Sequence, residues 1–115
     1  MKKIQILVYG KHPEILETVL RLINKNDAWE GEGSVDEERV IELYHQNQYD
    51  LVLLGGGIPE DSEKKVRALF QHLNPQLQII QHYGGGSGLL KSEIEMALAK
   101  GANDRLQLMD NPFGE

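Results

Sequence analysis

The residues of this chain best placed to do chemistry gather around two glycine runs. Gly55-Gly56-Gly57 follows the apolar segment Leu51-Val52-Leu53-Leu54, and Gly84-Gly85-Gly86-Ser87-Gly88 follows a second apolar segment, Leu77 to Ile80. Glycine lets successive backbone N–H groups turn inward, and a helix start just beyond favours negative charge, so such runs can cradle an anion. The candidate contacts are Gly56, Gly57, Gly84 and Gly85, with Lys11 as the counter-charge. The competing reading makes both runs plain turns, because no Gly-Lys-Ser/Thr opens a helix as a phosphate-binding P-loop requires. Both readings stay open on the sequence alone.

Other chemistries have less support. His12 and His82, with Glu60 or Asp61, have the donor types for a divalent cation, but no pair shares a helix at ligand spacing, so no metal is expected and no cofactor either. The absence of cysteine excludes disulfides and thiolate catalysis. Ser34, Ser62, Ser87, Ser92 and Thr18 remain as hydroxyl nucleophiles, and none sits in a nucleophile elbow. The chain is therefore expected not to be an enzyme.

The composition bounds the rest. With 115 residues, 40% hydrophobic and 26% charged, the chain makes one domain, 1–115, with one core. A formal charge of −6 with scattered Lys and Arg argues against nucleic-acid binding. The apolar run Ile4 to Tyr9 is too short for a leader or a membrane span, so a cytoplasmic protein is expected.

The elements that position these residues alternate in type. Ile4 to Tyr9 is a strand, and Pro13 opens a helix whose apolar positions Ile15, Leu16, Val19, Leu20 and Ile23 recur every three or four residues. Ala28 to Gly33, with Trp29 and glycines between acids, suits a sheet edge. Ser34-Val35-Asp36-Glu37 has capping-box spacing before a helix carrying Val40, Ile41, Leu43 and Tyr44. Asp50 to Leu54 reads as a central strand covered on both faces. Pro59-Glu60-Asp61 opens a third helix with Val66, Leu69, Phe70 and Leu73 inward. Leu77, Ile79 and Ile80 mark a fourth strand ending at His82, followed by a helix with Leu90, Ile94, Ala97 and Leu98 that stops at Gly101. Arg105 to Met109 reads as a short fifth strand. Alternation of this kind predicts parallel βαβ units, an α/β fold of three αβα layers.

In this order the segments resemble the receiver domain of two-component response regulators, the CheY-like, flavodoxin-like fold. Ile6 to Leu16 is similar to the family's first strand and helix start, Tyr49 to Gly55 with Pro59 to its third strand and following loop, and Gly101-Ala102-Asn103-Asp104-Arg105-Leu106 to the approach to its fifth strand. The resemblance implies a five-stranded parallel sheet of order 2-1-3-4-5. It also implies an aspartate that takes a phosphoryl group, beside acids that hold Mg²⁺. Here the phosphoacceptor position is Gly55, the acidic pair is Gly10 and Lys11, and the hydroxyl position is His82. The lysine position falls near Leu108, or on Asn111 if Asn111-Pro112-Phe113 is a shifted Lys-Pro-Phe. Asp50 cannot substitute, five residues upstream on a strand rising ~3.3 Å per residue. The expected state is a pseudo-receiver, acting in signal transduction as a phosphorylation-independent regulatory or protein-interaction module. The alternative is a small-ligand or anion-binding domain using the glycine loops.

The family's fifth helix, which with the first covers one sheet face, has no counterpart after Met109. Residues drawn from Val52, Leu54, Ile80, Leu106 and Leu108 would then lie bare and form an interface, for a protein partner or for a homodimer.

Overall fold

The computed structural model describes residues 3–82 and 87–110, with Ser87 and residues 102–110 as backbone alone. Four strands and four helices alternate: β1 (Ile4–Tyr9), α1 (Pro13–Asn24), β2 (Trp29–Ser34), α2 (Glu37–Gln46), β3 (Leu51–Leu54), α3 (Glu60–Leu73), β4 (Gln78–Gln81) and α4 (Ser87–Asp110). The sheet is parallel throughout, in the order β2-β1-β3-β4. Its register sets Ile6 beside Gly31 and Leu51, and Leu51 beside Gln78.

Strand alternation divides the core in two. Ile6, Val8, Leu51 and Leu53 face α1 and α4 and pack with Val19, Ile23, Leu90, Ile94 and Ala97. Leu7, Tyr9, Val52 and Leu54 face α2 and α3 and pack with Val40, Leu43, Val66 and Phe70. All four residues of β3 are fully buried, as a doubly covered central strand requires. Tyr44 stacks on Phe70 with ring centroids 4.1 Å apart, which locks α2 to α3.

The local signals hold with small shifts. Pro13 starts α1 and Asn74 follows the end of α3. β2 is an edge strand, as its glycines and acids suggest. The cap of α2 lies two residues beyond Ser34: the Asp36 side chain accepts from Arg39 N–H, while the Ser34 hydroxyl accepts from Asp36 N–H. Ile15 is turned outward and 51% exposed, so the inner stripe of α1 starts at Leu16.

The last third of the chain corrects the sequence reading. α4 does not stop at Gly101 but runs to Asp110, so Arg105 to Met109 is helix and the sheet has four strands. Gly101 is buried and continues the inward series Leu90, Ile94, Ala97, so it occupies a packing position where a cap was expected. No proline interrupts residues 101–110, and Ala102, Arg105, Leu106, Gln107, Leu108 and Met109 are sound helix formers. The five residues Arg105 to Met109 are too few for their pattern to decide between strand and helix.

A second correction follows from the position of α4. The helix packs beside α1 on the face expected to be bare. Val52 and Leu54 lie on the opposite face, fully buried under α2 and α3, and Ile80 is partly buried against the α1/α4 cluster. These three residues form no common exposed patch. The side chains of Leu106 and Leu108 lie outside the described residues.

Candidate functional site

β1 and β3 deliver their C-terminal ends side by side, and what meets there is backbone. Gly55 N–H donates to Tyr9 O at 2.7 Å, and Lys11 N–H to Gly56 O at 3.4 Å. A Cβ on Gly10 would stand 3.6 Å from Gly55 Cα, and one on Gly55 would stand 3.4 Å from Gly10 Cα. The crevice they roof is lined by Val8, Leu16, Leu53, His12 and His82, with no carboxylate among its lining residues. Its volume of about 20 Å³ holds about one water and no nucleotide or flavin.

His82 closes the far side of that crevice. Its N–H donates to Leu54 O at 2.8 Å, which continues the β3–β4 ladder one residue past the strand. Its ring is buried, with Nδ1 2.5 Å from Glu93 Oε1. The end of β4 is thus tied to α4 through an imidazole. His12 is exposed, and its ring lies against Gly57, whose φ of +80° is the left-handed conformation that favours glycine.

Lys11 turns away from the crevice. Its ammonium lies 5.4 Å from the centre of the Tyr9 ring, on the α2/α3 side of the sheet. There a polar chain runs outward: Tyr9 OH shares a 2.6 Å hydrogen bond with Ser62 Oγ, Ser62 Oγ donates to Glu37 Oε1 at 2.6 Å, and Lys65 Nζ donates to Glu37 Oε2 at 2.8 Å. The hydrogen bond from Lys65, and then that from Ser62, holds the Glu37 carboxyl below the ordinary carboxylate range, and the charge of Lys11 adds to this.

The described members of the candidate anion set, Lys11, Gly56 and Gly57, do not converge. Lys11 lies over the Tyr9 ring, Gly57 is covered by His12, and Gly56 has open space around it. Gly84 and Gly85 lie outside the described residues. Among the described residues no three of His, Asp and Glu gather as a metal site. Asp50 sits at the other end of β3, where its Oδ2 accepts from Gln5 N–H at 2.8 Å. That end also carries an open groove of about 570 Å³ lined by Tyr44, Asn47, Tyr49, Leu73 and Asn74. The residues that sequence reasoning missed are Tyr9, Glu37, Ser62, Lys65 and Glu93. They lie at the end of β1, the start of α2 and the first two turns of α3 and α4, and only the three-dimensional meeting of β1, α2 and α3 joins the first four.

No family model matches the chain, and no curated protein matches it in sequence. Solved structures do share its fold. The signal receiver domain of an HD domain-containing protein from Pseudomonas fluorescens Pf-5 superposes with a TM-score of 0.77 at 15% identity, over 94% of this chain and 96% of its own. A CheY-like response regulator receiver domain protein from Methanospirillum hungatei JF-1 gives 0.75 at 12% identity, over 90% and 99%. The response regulator TrrA of Thermotoga maritima, in complex with Mg(2+)-BeF, gives 0.70 at 19% identity, over 85% and 100%. The chain is an α/β domain with the fold of response-regulator receiver domains.

Proposed function

We propose that this chain is a pseudo-receiver, a regulatory or scaffolding module of signal transduction that works by protein contact and not by an aspartyl-phosphate cycle. The observation that carries the reading is the approach of Gly10 and Gly55 at the strand ends. Where a receiver needs a nucleophile and metal-holding acids, two glycine backbones touch, and the ammonium of the neighbouring lysine lies over the Tyr9 ring. Its partner in this reading is another protein or a second copy of itself, with no part for nucleic acid or membrane, and its place is the cytoplasm. No helix among the described residues is long and apolar enough to cross a membrane. Because α4 covers the face beside α1, association draws on some other surface.

The deciding experiment is incubation with acetyl phosphate and Mg²⁺ followed by intact mass. No added phosphate is the expected result. An adduct at any aspartate overturns the reading.

A further inference from the structure

The two edges of the sheet are not alike. β2 presents Glu30 and Glu32, both exposed, between glycines, so a second copy pairing there sets like charges near one another. β4 is Gln78-Ile79-Ile80-Gln81, four partly buried residues with no charge, no proline and no glycine, and among the described residues it pairs only with β3. Of the devices that usually protect an edge, charge and proline are absent from β4, which is short at four residues.

The ladder says which backbone groups are free. In a parallel pair, alternate residues turn both N–H and C=O toward the same neighbour. His82 N–H bonds to Leu54 O, so Ile80 and Gln78 also face β3, and Ile79 and Gln81 turn their N–H and C=O outward.

An apolar stripe lies alongside. α4 buries Leu90, Ile94 and Ala97, and at 3.6 residues per turn this leaves two flanks. The Lys91 flank shares a groove with Leu22 and Lys25 of α1. The opposite flank carries Glu93, bonded to His82 at the end of β4, and on either side of it Leu89, 50% exposed, and Met96, 72% exposed. The most exposed large apolar side chain described thus sits on the flank that faces the uncharged edge.

We infer that the β4 edge and the Leu89/Met96 flank of α4 form the self-association surface of this protein, with a second copy as its occupant. Two antiparallel β4 strands related by a two-fold axis through Ile80 place Ile79 opposite Gln81 of the other copy, so the outward N–H and C=O groups of both copies are satisfied. Residues directly opposite one another then share a face, as pairing demands. The same axis brings the Leu89/Met96 flanks of the two α4 helices to one side of a continuous sheet and removes that apolar surface from water. The arrangement is isologous and closed, so it yields a dimer and not a fibre. An unrelated strand also fits the free edge, but the lack of any like-charge clash between two β4 strands, with the exposed stripe beside them, favours a copy.

This inference deepens the binding-module reading and rests on it; its test needs no phosphorylation, so the two fail separately. Multi-angle scattering at micromolar concentration is expected to give twice the chain mass. Gln81→Pro removes an outward N–H together with the side-chain oxygen that accepts from Arg67 at 3.4 Å, and is expected to halve the mass while the chain stays folded. Leu89→Glu with Met96→Glu, both at exposed positions, is expected to do the same. The chain has no cysteine, so Ile80→Cys is expected to give a covalent dimer on mild oxidation, since residues on the axis approach to a Cα separation of ~4.5 Å, whereas Gln78→Cys is not. A single-chain mass for the parent overturns the inference, as does a dimer that survives the Leu89/Met96 double variant. If Gln81→Pro fails to fold, that double variant and the cysteine pair decide the matter.

Discussion

The imidazole Nδ1 of His82 stands 2.5 Å from Glu93 Oε1, the histidine 5% and the glutamate 28% exposed, so one hydrogen bond joins the end of β4 to the second turn of α4. This polar tie joins the sheet to a helix otherwise held by Leu90, Ile94 and Ala97. It also closes the crevice beneath Gly10 and Gly55.

Removing the glutamate leaves a buried imidazole without its partner, which costs about 1–3 kcal/mol. Glu93→Ala is therefore expected to lower the melting temperature by several degrees. Glu95→Ala, two residues away and exposed, is the control and is expected to shift stability by no more than about 0.5 kcal/mol. Equal losses in the two variants would show that the bond adds nothing.

Glu37 makes stability depend on acid. Its carboxyl titrates below the ordinary 4.5 in the folded chain because Lys65 and Ser62 donate to it, so the folded state resists its protonation. The resulting stability is present above 4.5 and is lost as pH falls through the lowered folded value. Glu37→Gln is expected to be less stable than the parent at neutral pH, with the gap closing as the solution is acidified. Urea midpoints across that range test this, and a gap that stays constant to the acid limit refutes it. Added salt should narrow the gap only in part, since the Lys65 ammonium is well exposed whereas the Ser62 bond is neutral at one end.

Tyr49 acts at the other end of the pH scale. Burial, and after it the hydrogen bond to the Glu32 carboxylate, pushes its phenol well above the ordinary 10.0. The folded chain holds a proton that the unfolded chain releases, so this contribution is intact below 10.0 and declines as pH rises above it. Tyr49→Phe is expected to flatten the alkaline loss of stability in denaturant titrations. An unchanged alkaline slope would place the loss elsewhere.

Much of the fold was legible in local signals. Pro13, the run Leu51 to Leu54 and the spacing of Val66 and Phe70 each point to one structure, and each element stands where they put it. The helix carrying Leu90, Ile94 and Ala97 was legible too, but the chain beyond Gly101 was not, because Gly101 reads as a stop in isolation and becomes a packing position only when α4 lies against the sheet. The strand-end placement of Gly10 and Gly55 was legible, and their contact across β1 and β3 follows from the register. The direction of Lys11 was hidden. Nothing local says that its ammonium lies over Tyr9, within electrostatic reach of Glu37 on α2, since that depends on how α2 and α3 start beside β1.

The last prediction concerns the glycines themselves. A Cβ at Gly55 would meet Gly10 Cα at 3.4 Å and Tyr9 O at 3.6 Å, which is ordinary contact, and a Cβ at Gly10 would meet Gly55 Cα at 3.6 Å. Gly55→Asp is therefore expected to fold and melt within a few degrees of the parent. It is nevertheless expected to take up no phosphate from acetyl phosphate, because the transfer needs Mg²⁺ held by further carboxylates, and Gly10 and Lys11 supply none. Gly10→Asp and Lys11→Asp added to Gly55→Asp restore three acids at adjoining strand ends, and this triple variant is expected to melt higher with Mg²⁺ and to gain phosphate mass. Uptake by Gly55→Asp alone would mean that the missing nucleophile was the whole defect. A triple variant blind to Mg²⁺ would mean that Gly10 and Gly55 do not occupy the acid positions of a receiver.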